Sequence, residues 1–71
     1  MKNTNHIQNE INRLKVDNAV SYVSWDVDLI REYMKDGTIK DVVKTMSQLK
    51  GSVKELENTI EEVIEWHKRN H

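Results

Sequence analysis

Residues 16–34 carry two rows of apolar side chains at helical spacing. The first row repeats in steps of three and four residues, typical of a buried helical face, and comprises Val16, Val20, Val23, Val27, Ile30 and Met34. The second row lies on a different face and comprises Tyr22, Trp25, Leu29 and Tyr33. At about 100° per residue, the centres of the two rows lie roughly 135° apart. Packing against one neighbour needs only one row, so the second predicts contact with another copy of the chain or with a foreign partner.

A heptad pattern predicts a second helix over about residues 39–69. Its apolar residues recur without interruption over more than three heptads, and Val43 and Ile64 widen the apolar face. The residues of this heptad seam are Ile39, Val42, Met46, Leu49, Val53, Leu56, Ile60 and Val63. We expect the heptad seam to bury the core of the protein and to mediate self-association.

The strongest break in the chain is the turn at residues 36–38, after a first helix over about residues 5–35. Gly37 is predicted to adopt the left-handed conformation that follows many helix ends, and Thr38 to cap the second helix. Asp41 lies three residues after Thr38 and suits an acidic capping box. Two arms of equal length predict a single all-α domain over residues 1–71, folded as an antiparallel helical hairpin.

The first helix has two alternative descriptions. Asp17 and Asn18 are suited to cap a new helix, so a kink near them would split the arm and turn Ile7, Ile11 and Leu14 toward the core. Residues 19–29 also alternate between apolar and polar positions, which is the pattern of a β-strand. No second strand is predicted to pair with them, so the helix is favoured.

Length and charge favour self-association of the hairpin. A 71-residue chain has a marginal core, and without cysteine it cannot add disulfides. Residues 38–54 carry a net charge of +3 and residues 55–71 a net charge of −3, so two antiparallel copies of the second helix would match in charge. We therefore expect a homodimeric four-helix bundle, cytoplasmic and without a membrane span.

The aromatic row Tyr22, Trp25, Leu29 and Tyr33 is the candidate partner-binding surface. Aromatic anchors within a polar rim, here Asp26, Glu32 and Asp36, are typical of binding hot spots. The alternative is that this row forms the core of the dimer. A further row of small side chains, Thr45, Ser52 and Thr59, ends at Trp66 and suits either close approach of another helix or an ordinary half-exposed flank.

No residue pattern predicts a reaction, a metal site or a cofactor. His67 and His71 have the spacing of two metal ligands on a helix, but no third ligand accompanies them. The glutamates of the second helix lack the Glu-x-x-His pattern of a di-iron bundle. The basic cluster Lys40, Lys44, Lys50 and Lys54 lacks arginine and aromatic neighbours, so nucleic-acid binding is not favoured.

Gly37, followed by Ser47 and Gln48, is similar in spacing to small two-helix aspartyl-phosphate phosphatases of spore-forming bacteria. Their motif continues with a Leu-Asp pair where this chain has Lys50 and Gly51, so that function is not transferred. We expect instead a small non-enzymatic regulatory or adaptor protein, of a size typical of the regulators that phages or mobile elements encode. The alternatives are a Rop-like bundle that binds RNA or DNA through its lysines, and a structural subunit of a larger assembly.

Overall fold

The structure is a computed structural model that describes the backbone of residues 2–70 and the side chains of residues 6–70. Helix α1 spans Lys2–Asp36 and helix α2 spans Ile39–Arg69, and the two pack against each other as a hairpin. The predicted all-α hairpin is confirmed. Residues 19–29 are helical, so the alternative of a β-strand is wrong.

Helix α1 continues through Asp17 and Asn18 without a break, so the alternative of a split arm is also wrong. The polar groups of Asp17 are engaged inside the helix and do not cap a new one. Its carboxylate accepts a hydrogen bond from Arg13 at 2.9 Å, and its backbone carbonyl accepts one from the Ser21 hydroxyl at 3.0 Å. Ile7, Ile11 and Leu14 therefore lie on the same face of α1 as Tyr22 and Trp25.

The connection between the helices consists of Gly37 and Thr38. The predicted capping box is present: Thr38 Oγ1 accepts from the backbone N–H of Asp41 at 3.2 Å, and the Asp41 carboxylate accepts from the backbone N–H of Thr38 at 3.4 Å. The left-handed conformation predicted for Gly37 is wrong, because its φ is not positive. Glycine is needed here for space, since a Cβ at Gly37 would lie 2.9 Å from Tyr33 Cα, Cδ1 and O.

The contact between the helices runs along a line of small and polar side chains. Three residues of α1 spaced by seven are buried, namely Asn12, Ala19 and Asp26. On α2, Thr45 is buried. Ser52, one heptad beyond Thr45, donates a hydrogen bond of 2.6 Å to the Asp26 carboxylate. This hydrogen bond shows which residues of the two helices lie at the same level along the hairpin.

The same register continues from the Asp26–Ser52 pair toward the open end of the hairpin. One heptad toward the open end, Ala19 and Thr59 line a common groove. A further heptad along, Asn12 and Trp66 share another. Two predictions were made for the row of Thr45, Ser52 and Thr59: close approach of another helix, or a half-exposed flank. The close approach is found, and the approaching helix is α1.

The two helices alone bury little apolar surface. Ala19 is the buried apolar residue among the described side chains, and no large side chain there is fully buried. The chain measures 53 × 16 × 10 Å, with a radius of gyration of 16.3 Å, against about 11 Å for a compact domain of this length. Its accessible surface of 5936 Å² exceeds by about 1,300 Å² the value expected for a compact monomer of 8.4 kDa. The hairpin therefore leaves unburied surface that a globular chain would cover.

Candidate protein-binding surfaces

The structure divides the predicted aromatic row into an exposed pair and a half-buried pair. Tyr22 and Trp25 are 63% and 66% exposed, respectively. Leu29 and Tyr33 are half-buried, and Tyr33 lies against the turn at Gly37, whose backbone N–H donates to the Tyr33 carbonyl at 2.8 Å. Tyr22 and Trp25 are therefore available to a partner, whereas Tyr33 belongs in part to the hairpin.

The exposed pair extends into a longer apolar stripe on α1. Because α1 is unbroken, three further exposed apolar residues precede Tyr22 and Trp25 at helical spacing. This outer stripe comprises Ile7, Ile11, Leu14, Tyr22 and Trp25. It covers about 27 Å of helix at 1.5 Å per residue. The alternative of a kink near Asp17 would have turned Ile7, Ile11 and Leu14 toward the core, away from Tyr22 and Trp25.

Two hollows follow one another along the outer stripe. The first is lined by Ile11, Leu14, Lys15 and Asn18. The second is lined by Asn18, Ser21, Tyr22 and Trp25. Each set has the spacing i, i+3, i+4 and i+7, which is the four-residue hole that receives one side chain of a facing helix in a coiled coil. The stripe thus has the geometry to accept successive side chains of another helix.

The rim of the outer stripe is partly acidic, but its composition differs from the prediction. Asp26 was expected at the edge of the aromatic row, yet it is only 4% exposed and bonds to Ser52 between the helices. Glu32 and Asp36 are exposed, as is Glu55, which shares a groove with Tyr22 across the hairpin. Residues 19–37 carry a net charge of −2, which favours a partner with basic residues beside its apolar ones.

A second apolar surface lies on the opposite side of the hairpin. The groove that holds Tyr22 also holds Gln48 and Glu55, so these flanks of α1 and α2 share one side. The other flanks, which include Val27 and Val53, must then share the reverse side. Exposed apolar residues of both helices contribute to this aliphatic face: Val20, Met34, Ile39, Val43, Met46, Val53, Ile60 and Ile64.

The heptad seam is shared between the hairpin and the aliphatic face. Half of its residues are half-buried against α1, namely Val42, Leu49, Leu56 and Val63. The other half are exposed, namely Ile39, Met46, Val53 and Ile60. Helix α2 therefore packs one apolar row against α1 and leaves a second apolar row exposed. Self-association through the exposed half stays a prediction.

The aliphatic face ends toward the N-terminus of α1 at a charged cluster. Arg13 lies one heptad before Val20, on the same line as Val20 and Val27. It forms salt bridges with Glu10 at 3.1 Å and with Asp17 at 2.9 Å. The hydrogen bond from Arg13, and then its positive charge, lower the pKa of the Glu10 carboxyl, and the same pair raises the pKa of Arg13. All three side chains are exposed, so they limit the apolar surface more than they stabilise the fold.

The open end of the hairpin has a polar groove beside Trp66. Asn12, buried in its wall, accepts a hydrogen bond from Gln8 at 3.0 Å, and its Nδ2 is buried without a partner. The remaining lining residues are mostly charged and of both signs. An unpaired buried donor costs about 1–3 kcal/mol, so this end of the interface is less favourable than the Asp26–Ser52 contact.

The remaining candidate groups from the sequence are His67 with His71 and the four lysines of α2. His71 lies outside the described residues, and the His67 ring meets the Trp66 ring edge-on at 5.1 Å. Within residues 6–70, no group of three His, Cys, Asp or Glu side chains is placed to hold a metal ion. Lys40, Lys44, Lys50 and Lys54 are all exposed. In the described part of the chain, neither helix has the length and apolarity to cross a membrane.

Comparison with protein-family models, with curated proteins and with solved structures found no match to this chain.

Proposed function

We propose that this chain is a small regulatory or adaptor protein that acts by binding a helical segment of another protein along the outer stripe. It catalyses no reaction and needs no cofactor. The proposal extends to a cytoplasmic location, which suits a chain without cysteine. A phage or mobile element is the proposed origin, which suits a chain of this size.

The observation that carries the proposal is the pair of successive coiled-coil holes on an exposed face. Tyr22 and Trp25 form part of one hole, and Ile11 and Leu14 form part of the other. Tyrosine and tryptophan are enriched among the residues that dominate binding energy. Ligand grooves for small molecules are deeper and more enclosed than these hollows, so a helix is the occupant that fits them.

Nucleic-acid binding lacks a comparable surface. Residues 38–54 contain four lysines but neither arginine nor an aromatic residue, and the acidic second half of α2 follows them directly. A structural subunit of a larger assembly would use the same apolar surfaces as an adaptor, and it would differ in forming a complex of fixed stoichiometry with its partner.

The test compares capture of host proteins by the wild type, by the double variant Tyr22→Ala, Trp25→Ala, and by Lys44→Ala as the control. Loss of a central aromatic anchor commonly costs about 2 kcal/mol, which corresponds to roughly thirtyfold weaker binding. We expect mass spectrometry to identify a protein that the wild type and Lys44→Ala retain and the double variant loses. Tyr33 is left unchanged because the structure places it partly within the hairpin.

Two measurements separate the alternatives. Helicity of the double variant should match that of the wild type, because both side chains are exposed. Retention by the double variant of every protein captured by the wild type would refute the assignment of the outer stripe. Capture of nucleic acid that weakens steeply with salt, and that Lys44→Ala reduces, would favour the lysine surface instead.

A further inference from the structure

We infer that a second copy of this chain packs on the aliphatic face, with the two α2 helices antiparallel about a twofold axis near Val53. The inference does not depend on the role proposed for the outer stripe, which lies on the other side of the hairpin.

The hairpin leaves much of its apolar surface uncovered. The described part of one hairpin buries Ala19 as its apolar core, while apolar residues of both helices stay exposed on the aliphatic face. Over its whole surface the chain exposes about 1,300 Å² more than a compact monomer of its mass, which leaves room for an interface of the standard size, roughly 800 Å² per partner. A partner on this face would therefore complete the core that the hairpin lacks.

One edge of α2, formed by heptad positions a and e, is complementary to the same edge of a second copy. Within the heptads that place Ile39, Met46, Val53 and Ile60 at position a, the residues at position e are Val43, Lys50, Glu57 and Ile64. In an antiparallel pair centred near Val53, Lys50 faces Glu57 of the other copy and Val43 faces Ile64. Charged residues thus meet opposite charges and apolar residues meet apolar ones. At position a, Met46 meets Ile60 and Val53 meets itself.

The apolar row of α1 is centred at the same level along the hairpin as Val53 of α2. The Asp26–Ser52 pair defines the hairpin register, in which Val53 lies level with Trp25. The apolar row of residues 16–34 is centred on that same level. A twofold axis there would place Val20 near Ile30 of the second copy, and Val23 near Val27. One and the same twofold axis is therefore compatible with both helices of the hairpin.

The opposite charges of the two halves of α2 support the same orientation. Residues 38–54 carry +3 and residues 55–71 carry −3, so antiparallel α2 helices bring each half to its opposite. A foreign partner on this face would need to reproduce the pattern of both the e positions and the charged halves. A second copy provides that pattern without further assumption.

The first experiment measures the mass of the wild type, Val53→Glu and Asn58→Glu by analytical ultracentrifugation over a range of concentrations. We expect a wild-type dimer at micromolar concentration. Val53→Glu places a carboxylate against its own copy at the axis and should weaken the dimer by about a hundredfold or more. Asn58→Glu makes the same change of charge at an exposed position outside the aliphatic face and should leave the dimer intact.

The second experiment reverses charges without touching an apolar residue, so loss of folding cannot imitate the result. Lys50→Glu sets a new carboxylate against Glu57 of the other copy in two symmetric places and should weaken the dimer about tenfold. The double variant Lys50→Glu, Glu57→Lys restores both pairs and should regain wild-type affinity. A wild-type monomer, equal effects of Val53→Glu and Asn58→Glu, or a double variant no tighter than Lys50→Glu would each overturn the inference.

Discussion

Removal of the Ser52 hydroxyl would leave the buried Asp26 carboxylate without its partner across the hairpin. Asp26 is 4% exposed, and the 2.6 Å bond from Ser52 joins the two helices at the middle of their contact. Hydrogen bonds to charged groups contribute about 1.5–3 kcal/mol, and a buried charge that loses its partner also keeps its desolvation cost. We therefore expect Ser52→Ala to destabilise the protein by about 2 kcal/mol.

The assay is thermal and urea unfolding followed by circular dichroism at one fixed protein concentration, because self-association makes stability depend on concentration. Unfolding entropy of about 2.1 cal/mol/K per residue converts 2 kcal/mol into a fall in melting temperature of about 13 °C for this length. Ser47→Ala is the matched control, because Ser47 is exposed on the same helix. The control should change stability by no more than about 0.5 kcal/mol.

A double-mutant cycle, in which Asp26→Ala is the second single variant, isolates the contact between the two side chains. Asp26→Ala, Ser52→Ala removes the carboxylate together with its donor and should be more stable than Ser52→Ala alone by at least about 1 kcal/mol. If Ser52→Ala and Ser47→Ala unfold at the same temperature, the carboxylate is hydrated and does not hold the hairpin together. That result would refute the stabilising role assigned to this bond.

Three further predictions concern the interface and the two glycines. Leu56→Asp should unfold the protein because it places a charge in the contact with α1, whereas Lys44→Ala should change stability by about 0.5 kcal/mol or less; equal tolerance in urea unfolding would mean that the buried face is wrong. Gly51→Ala should stabilise α2 by up to about 1 kcal/mol, since its Cβ would meet no atom within 4 Å. Gly37→Ala should destabilise by about 1–3 kcal/mol, because its Cβ would lie 2.9 Å from Tyr33; an unchanged melting temperature would show that the turn can shift.

Local signals in the sequence were sufficient for the helices and their connection. Thr38 and Asp41 form the capping box that their spacing predicts. The predicted second helix, about residues 39–69, agrees with Ile39–Arg69, since a long heptad pattern and a clear N-cap leave few alternatives. Gly37 was assigned to the turn correctly but for the wrong reason, because its crowding by Tyr33 depends on how the turn closes.

The centre of the hairpin contact was not predicted on α1. Apolar spacing singled out the rows of Val27 and Trp25, whereas the residues buried between these rows include Asn12 and Asp26. A search based on apolar residues assigns polar side chains to solvent, so it cannot find a buried carboxylate. The available signal was on α2, where Thr45, Ser52 and Thr59 are small and carry hydroxyl groups that can meet a polar line on the facing helix.

The repeat of hydroxyl groups on α2 has a consequence for how uniquely the hairpin aligns. Thr45, Ser52 and Thr59 are spaced by one heptad, so sliding α1 by seven residues would offer Asp26 another hydroxyl donor. The chemistry of the contact is therefore degenerate, and the two-residue connection at Gly37 and Thr38 is what excludes the shifted alignments, since it is too short to span an extra heptad. Two separate peptides corresponding to α1 and α2, freed from that connection, would sample several alignments where the intact chain has one.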